Sequence, residues 1–363
     1  MNNLIVKTGL CLLALGVLAG CGTPGIPLPP SLELARPVSD LRAVRKGNAV
    51  YLTWTAPGAT TDRHTIRHPG PTEVCRGVGA NLRDCGVAVA RIPFAKTPGV
   101  TNAAPKPQSS YSDQIPASLS SENQTSTFVY AVGVLNSYGR SAGLSNQVQV
   151  PAAPTLPAPA DFHAQVTAEG VRLSWKAIVP PEVTVLRYLY RVYRRPSGTN
   201  ADAVAGEVAL TSESAPSFLD NTFEWGKTYD YRLTVVTVVA PEKGIEQQVE
   251  GEDTPAITVV AHDIFPPATP EGLQAVFSGP GQKPFIDLIW APNTEPDLAG
   301  YNVYRREQDG HPSKLNSDAV KSPAFRDTEV VPGHEYFYSI SAIDVRGNES
   351  ARSEEASEAV LAQ

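Results

Sequence analysis

Apolar and polar residues alternate in three similar short runs along this chain: Val50-x-Leu52-x-Trp54, Val171-x-Leu173-x-Trp175 and Ile286-x-Leu288-x-Trp290. A period of two puts every second side chain on one buried face, which predicts a strand with one side in a core and the other in water. A second alternating run follows each tryptophan: Phe128-x-Tyr130-x-Val132-x-Val134, Tyr229-x-Tyr231-x-Leu233-x-Val235 and Tyr336-x-Tyr338-x-Ile340-x-Ala342. Each pair of runs can supply the two opposed inner faces of one core. Ahead of each tryptophan run stands a proline and then a short apolar pair, Pro37 before Leu41 and Ala43, Pro159 before Phe162 and Ala164, Pro270 before Leu273 and Ala275. Proline cannot donate to a ladder, so it suits a strand entrance at an edge. The chain therefore predicts three similar all-β modules, with no substantial helix beyond the leader.

Modules two and three share more. Tyr190-Arg191-Val192-Tyr193-Arg194-Arg195 returns as Tyr301-Asn302-Val303-Tyr304-Arg305-Arg306, and Phe218-x-Asp220 before Gly226 returns as Phe325-x-Asp327 before Gly333. Tyr111-x-Asp113 is the counterpart in module one. These residues resemble the fibronectin type III domain, an immunoglobulin-like sandwich of seven strands and about 100 residues. The resemblance runs from about residue 36 to 361 and implies a tandem array of three β-sandwiches: module one over 36–150, module two over 151–262 and module three over 263–363. It places Trp54, Trp175 and Trp290 on strand B in the cores, the Tyr-x-Val-Tyr runs on strand C, and Tyr229 and Tyr336 at the E–F corner. Module one departs most, because Phe128 stands where the corner tyrosine is expected and has no hydroxyl to donate. In module two the short F–G turn is replaced by the polar run 241–253.

A length of 363 residues fits three such modules. Prolines gather between them, in 151–159 and 265–270, which favours extended, semi-stiff spacers. At the front, Lys7 and the apolar run 9–19 are too short to span a bilayer and read as a secretory signal over 1–20. Leu18-Ala19-Gly20-Cys21 resembles a bacterial lipobox, which implies cleavage before Cys21 and its lipidation. The several acyl chains then hold a soluble module at a bilayer, at about 0.8 kcal/mol per buried methylene. Residues 21–35 become a proline-rich tether. The expected location is the bacterial cell envelope, extracytoplasmic, with Gly22 after the cysteine favouring the outer membrane.

In an oxidising compartment Cys75 and Cys85, left over once Cys21 is acylated, are expected to pair across a hairpin rather than to bind metal with His64 and His68. Other candidate chemistry reads as structure. Gly139-Arg140-Ser141-Ala142-Gly143 satisfies a hydrolase nucleophile pattern, which needs a strand-to-helix turn under the serine, but here a strand should follow. Asp220 and Asp327 occupy matching positions in separate modules and are read as turn-orienting residues. Arg346-Gly347-Asn348 has asparagine where a receptor-binding Arg-Gly-Asp turn needs a carboxylate. The arginine pairs 194–195 and 305–306 are read as lining a solvated face. Net charge is −7 without a basic stripe, which argues against a nucleic-acid partner. The expectation is thus a non-catalytic envelope lipoprotein with no metal and no cofactor, a spacer or scaffold for an unidentified protein or carbohydrate ligand, or alternatively an accessory subunit positioning an envelope enzyme. Residues 95–127 and 241–253 are the loops expected to be least constrained by the fold and most open to recognition.

Overall fold

A computed structural model describes residues 32–94, 107–181, 183, 185–211, 214–240 and 245–362. The leader, Cys21 and the tether as far as residue 31 lie outside the described residues. The chain divides into two compact units, Met1–Pro154 and Thr155–Gln363.

The first unit is module one. Its strands are β1 (Arg42–Lys46), β2 (Ala49–Thr55), β3 (Pro69–Val78), β4 (Ala88–Ile92), β5 (Gln108–Gln114), β6 (Thr127–Asn136) and β7 (Val148–Pro151), with a short helix α1 (Ala117–Glu122) between β5 and β6. They form two antiparallel sheets, β1-β2-β5 and β4-β3-β6-β7. Alternation in β2 sends Val50, Leu52 and Trp54 inward against Phe128, Tyr130, Val132 and Val134 of β6, and all seven belong to one buried cluster. The tryptophan run and the aromatic run therefore lie on opposite sheets of one sandwich.

The second unit holds two further sandwiches. In module two, β8 (His163–Thr167), β9 (Gly170–Ser174) and β12 (Ser217–Asp220) form one sheet. The other is built from β10 (Leu186–Pro196), β11 (Ala203–Ala209) and β13 (Thr228–Val239), with β14 (Gln247–Glu250) and β15 (Ile257–Val260) both pairing with β13. In module three, β16 (Gln274–Phe277), β17 (Ile286–Ile289) and β20 (Ala324–Asp327) face β18 (Leu298–Glu307), β19 (Ser313–Lys314), β21 (Glu335–Asp344) and β22 (Ala356–Ala359). Ile286, Leu288 and Trp290 pack with Tyr301, Val303, Tyr336, Tyr338 and Ile340 in its core. Leu52, Leu173 and Leu288 are completely buried, each contributing about 2 kcal/mol of transfer free energy. Every module keeps the same strand order, with three strands opposing four in modules one and three and five in module two, which is the fibronectin type III arrangement.

Both stretches expected to be unconstrained are built into this framework in part. Within 95–127, residues 108–114 are β5, whose seven residues pair with β2 from Gln108↔Thr55 to Gln114↔Ala49. The following α1 lies over the core through Leu119. Within 241–253, residues 247–250 extend the hairpin of β13, with Val236↔Glu250 and Val239↔Gln247. Polar composition misled here because edge strands bury only one face and tolerate serine, glutamine and glutamate on the other. Residues 95–106 and 241–244 lie outside the described residues.

Candidate functional site

The residue types that carry chemistry elsewhere are here joined in a network that recurs in all three modules. β3, β10 and β18 each place an arginine beside an aspartate at the end of the facing edge strand, and β6, β13 and β21 bring up a tyrosine. In module one, Arg76 Nη1 donates to Asp113 Oδ2 at 2.6 Å and Tyr130 Oη donates to the same oxygen at 2.6 Å. In module two, Arg194 Nη1 and Tyr231 Oη both reach Asp220 Oδ2 at 2.8 Å. In module three, Arg305 Nη1 reaches Asp327 Oδ2 at 2.7 Å and Tyr338 Oη at 2.9 Å. The three aspartates are buried, and the three tyrosines more deeply still.

Registers explain the recurrence. Arg76 pairs with Tyr130, Arg194 with Tyr231 and Arg305 with Tyr338 across the central ladder. Burial, together with the hydrogen bond to the aspartate and its charge, drives all three tyrosine hydroxyls far above the usual phenol range. Burial pushes the Asp220 carboxyl up, but hydrogen bonds from the Thr222 amide and hydroxyl and from Tyr231, with the charge of Arg194, outweigh it and hold the group below its ordinary value. These aspartates do orient turns, since Asp220 Oδ1 accepts the Thr222 N–H and Asp327 Oδ1 the Glu329 N–H, each at 3.0 Å. Their other oxygen anchors the two sheets of each sandwich to one another.

The arginine pairs need a correction. Arg194 and Arg305 do not line a solvated face; their guanidinium groups lie under the E–F corner, 5.4 Å from the Tyr229 ring centre and 5.0 Å from that of Tyr336. Their neighbours are the more exposed members, Arg195 ion-paired with Asp230 at 3.3 Å and Arg306 with Glu355. The corner hydroxyls likewise act as acceptors, Tyr229 Oη from the Glu224 N–H at 3.1 Å and Tyr336 Oη from the Val331 N–H at 3.0 Å. In module one the buried Arg45 covers the Phe128 ring at 5.8 Å, and its guanidinium meets the backbone carbonyls of Gly47 and Pro151. Burial lowers the Arg45 pKa to about 10.

A second recurring set left no mark in the alternation. Ser145, Thr254 and Ser353 each accept a backbone N–H of the central strand on the side-chain oxygen, from Val132, Leu233 and Ile340 respectively, all at 3.0 Å. Each also sends its own N–H to the carbonyl of that same strand residue. They lie in plain Ser-Asn, Thr-Pro and Ser-Glu contexts; Ser145 and Ser353 share a spacing of 13 residues from their strand partners, but the longer β13–β15 connection sets Thr254 21 residues from Leu233, so no common spacing marks all three.

Cys75 and Cys85 form a disulfide with Cα atoms 5.0 Å apart, closing the turn between β3 and β4. Cys75 stands at the register position that Tyr193 and Tyr304 hold in the other modules. His64 and His68 belong to other partnerships, with Asp62 at 3.2 Å and Glu33 at 2.9 Å. Ser141 sits in the turn between β6 and β7, its Oγ 3.0 Å from both the N and the O of Gly143. A strand, β7, follows it.

The turn at Arg346-Gly347-Asn348 is occupied from within. Asp344 Oδ1 accepts the Arg346 and Asn348 N–H groups at 2.8 and 2.9 Å. Arg346 Nε lies 3.2 Å from Asp263 Oδ2 in the connection between modules two and three, and Asn348 Nδ2 donates to the Asp263 carbonyl at 3.3 Å. The Arg346 guanidinium also faces the Trp225 ring of module two at 6.0 Å, and Trp225 is 6.5 Å from Phe265. Carboxylate oxygens of Asp263, Asp297 and Asp344 gather within 4.8 Å of one another beside it, with Arg346 as their local countercharge.

Several clefts open on the surface of the described residues. One of about 860 Å³ on module two is walled by Pro180, Pro181, Leu186, Leu210 and Val238. Another of about 680 Å³ lies at the β6–β7 end of module one, between Glu33, His68, Tyr138 and Arg140.

No protein-family model matches the chain. Among curated proteins it is 36% identical over 91 residues to an amylopullulanase of Thermoanaerobacterium saccharolyticum, covering 25% of this chain and 7% of that protein. It is 34% identical over 110 residues to an amylopullulanase of Thermoanaerobacterium thermosulfurigenes, covering 29% of this chain and 6% of the other. The chain thus spans less than a tenth of these relatives. Solved structures similar to it are fibronectin type III proteins. The FN1-FN3 domains of chicken CNTN1 cover 90% of this chain and 99% of their own, at 14% identity and a TM-score of 0.27. An Fn3-like protein from Clostridium thermocellum covers 25% of this chain and 90% of its own, at 33% identity and a TM-score of 0.22.

Proposed function

We propose that this chain is a non-catalytic, carbohydrate-associated scaffold held at the bacterial cell envelope through a lipid on Cys21, its sandwiches acting as spacers that display turns. The observation that carries the reading is the Arg–Asp–Tyr network. In each module the buried carboxylate, guanidinium and phenol are fixed to one another across the core and none is presented to a substrate, so the exposed turns are the surface offered to a partner. Likeness to short segments of amylopullulanases supports a carbohydrate association, because modules of this size inside a far longer carbohydrate-active protein fit an accessory role. The same fact favours a second reading, in which the chain positions a separate envelope enzyme at its substrate.

One experiment addresses both parts. Cells producing the full chain are fractionated, and the detergent-solubilised protein is passed through native gels containing pullulan and applied to a glycan array. Membrane association lost in Cys21→Ala, together with glycan retention of the wild type, is the expected result. Recovery of a stoichiometric enzyme without any glycan retention favours the second reading, and soluble wild-type protein overturns the anchor.

A further inference from the structure

The β6–β7 turn of module one differs from its counterpart in module three. There the turn is spent on Asp263 and Trp225; here it presents Tyr138, whose surface is 86% exposed. The turn is nonetheless rigidly framed. Asn136, itself buried, accepts the N–H groups of Tyr138 and Arg140 on Oδ1 at 3.0 and 2.9 Å and donates through Nδ2 to the Leu32 carbonyl at 2.8 Å. The Ser137 N–H reaches the His68 carbonyl at 3.2 Å. Three separate segments, 32–33, 68 and 136–140, are thereby tied into one rim around the 680 Å³ cleft. Glu33 holds a left-handed backbone, φ 48°, which disfavours a side-chain-bearing residue and persists only where its surroundings impose it. Its carboxylate is 2.9 Å from His68 Nδ1.

We propose that this cleft is a binding subsite for a neutral pyranose ring. The inference rests on the carbohydrate-associated reading above and assigns it a place. A sugar has one face of C–H groups and a periphery of hydroxyls that both donate and accept. Tyr138 supplies a flat aromatic platform for the first. Glu33 can only accept and Arg140 can only donate, so together they match a group that does both. The opposite charges of Glu33 and Arg140 balance within the rim, which suits a ligand without net charge. A single exposed tyrosine is ordinary on a protein surface; a framed one, set among an acceptor, a donor and an imidazole in a cleft, has the composition of a small-ligand site. Because the frame is already in place, little ordering opposes binding.

The test uses the detergent-solubilised full chain and retardation in native gels containing pullulan, with a glycan array for other neutral sugars. Tyr138→Ala is expected to weaken retention at least tenfold, and Glu33→Gln severalfold. Tyr51→Ala, an exposed tyrosine on β2 of the same module, is expected to leave retention unchanged. Thermal melts check that the variants remain folded. If the wild type is retained and Tyr138→Ala is retained equally, the site is wrong and the carbohydrate reading survives. If the wild type is retained by neither pullulan nor any sugar on the array, both fall.

Discussion

Replacing Asp220 with alanine should cripple module two while leaving the other sandwiches intact. The carboxylate is fully buried at the side chain and receives Arg194 and Tyr231, with Arg194 itself only 18% exposed. Removal strands a largely desolvated cation, and breaking a buried pair from one side costs about 3–5 kcal/mol. It also orphans a buried hydroxyl, a loss of about 1–3 kcal/mol. The two losses share one oxygen and overlap, so about 4 kcal/mol is expected in all. Against a domain stability of about 5–15 kcal/mol, that leaves module two marginal and lowers its melting temperature by about 20 °C. Tyr231→Phe removes only one hydrogen bond and leaves the ion pair, for a loss of about 1 kcal/mol. Scanning calorimetry of the whole chain, supported by urea titrations read through tryptophan fluorescence, separates the transitions. Should Asp220→Ala move its transition no further than Tyr231→Phe does, the network is ornamental and the reasoning fails. Acid gives an independent check. Asp220 is held below its unfolded value of 3.8, so its contribution is fully present above that pH. It is lost as the pH falls through the lower folded value, and Asp220→Ala should abolish that part of the acid sensitivity.

Reduction of the Cys75–Cys85 bridge, or Cys75→Ala with Cys85→Ala, should lower module-one stability by up to about 2.7 kcal/mol on the chain-entropy estimate for so small a loop, read as the urea midpoint with and without dithiothreitol; an unchanged midpoint contradicts it. Arg346→Ala should loosen the connection between modules two and three, seen as several-fold faster proteolysis within 262–270, and unaltered cleavage there would show that the joint does not depend on this turn. Gly170→Ala should destabilise module two strongly, because φ is 148° and a Cβ would meet the Asp220 carbonyl oxygen at 2.3 Å, where no flexible side chain can yield; a melt within a degree or two of wild type would refute this.

Much of the fold was written in the alternation. Trp54, Trp175 and Trp290 stand at the ends of strand-length apolar runs, and period two alone separates a core face from a wet one. What stayed illegible was the polar half of the interior. Tyr130, Tyr231 and Tyr338 read as one more apolar position, since a phenol buries a ring whether or not its hydroxyl has a partner. That they meet Asp113, Asp220 and Asp327 depends on the apposition of two sheets, which no local pattern encodes. The arginines at 194 and 305 misled for a related reason, because a charge beside an aromatic on a strand looks solvent-facing until its counterion is found on the opposite sheet. The cleft at Tyr138 was hidden more thoroughly. Its rim comes from three segments far apart in sequence, 32–33, 68 and 136–140, and the patterns that drew notice to His68 and Arg140 pointed to other chemistry.

Each Arg–Asp–Tyr network closes entirely within one sandwich, borrowing nothing from its neighbours. A gene segment encoding one such unit therefore carries its own polar lock, and copying it lengthens the array without having to renegotiate any existing core. Change can then accumulate at the turns, where one copy has come to clasp the unit before it and another has kept an aromatic ring in the open.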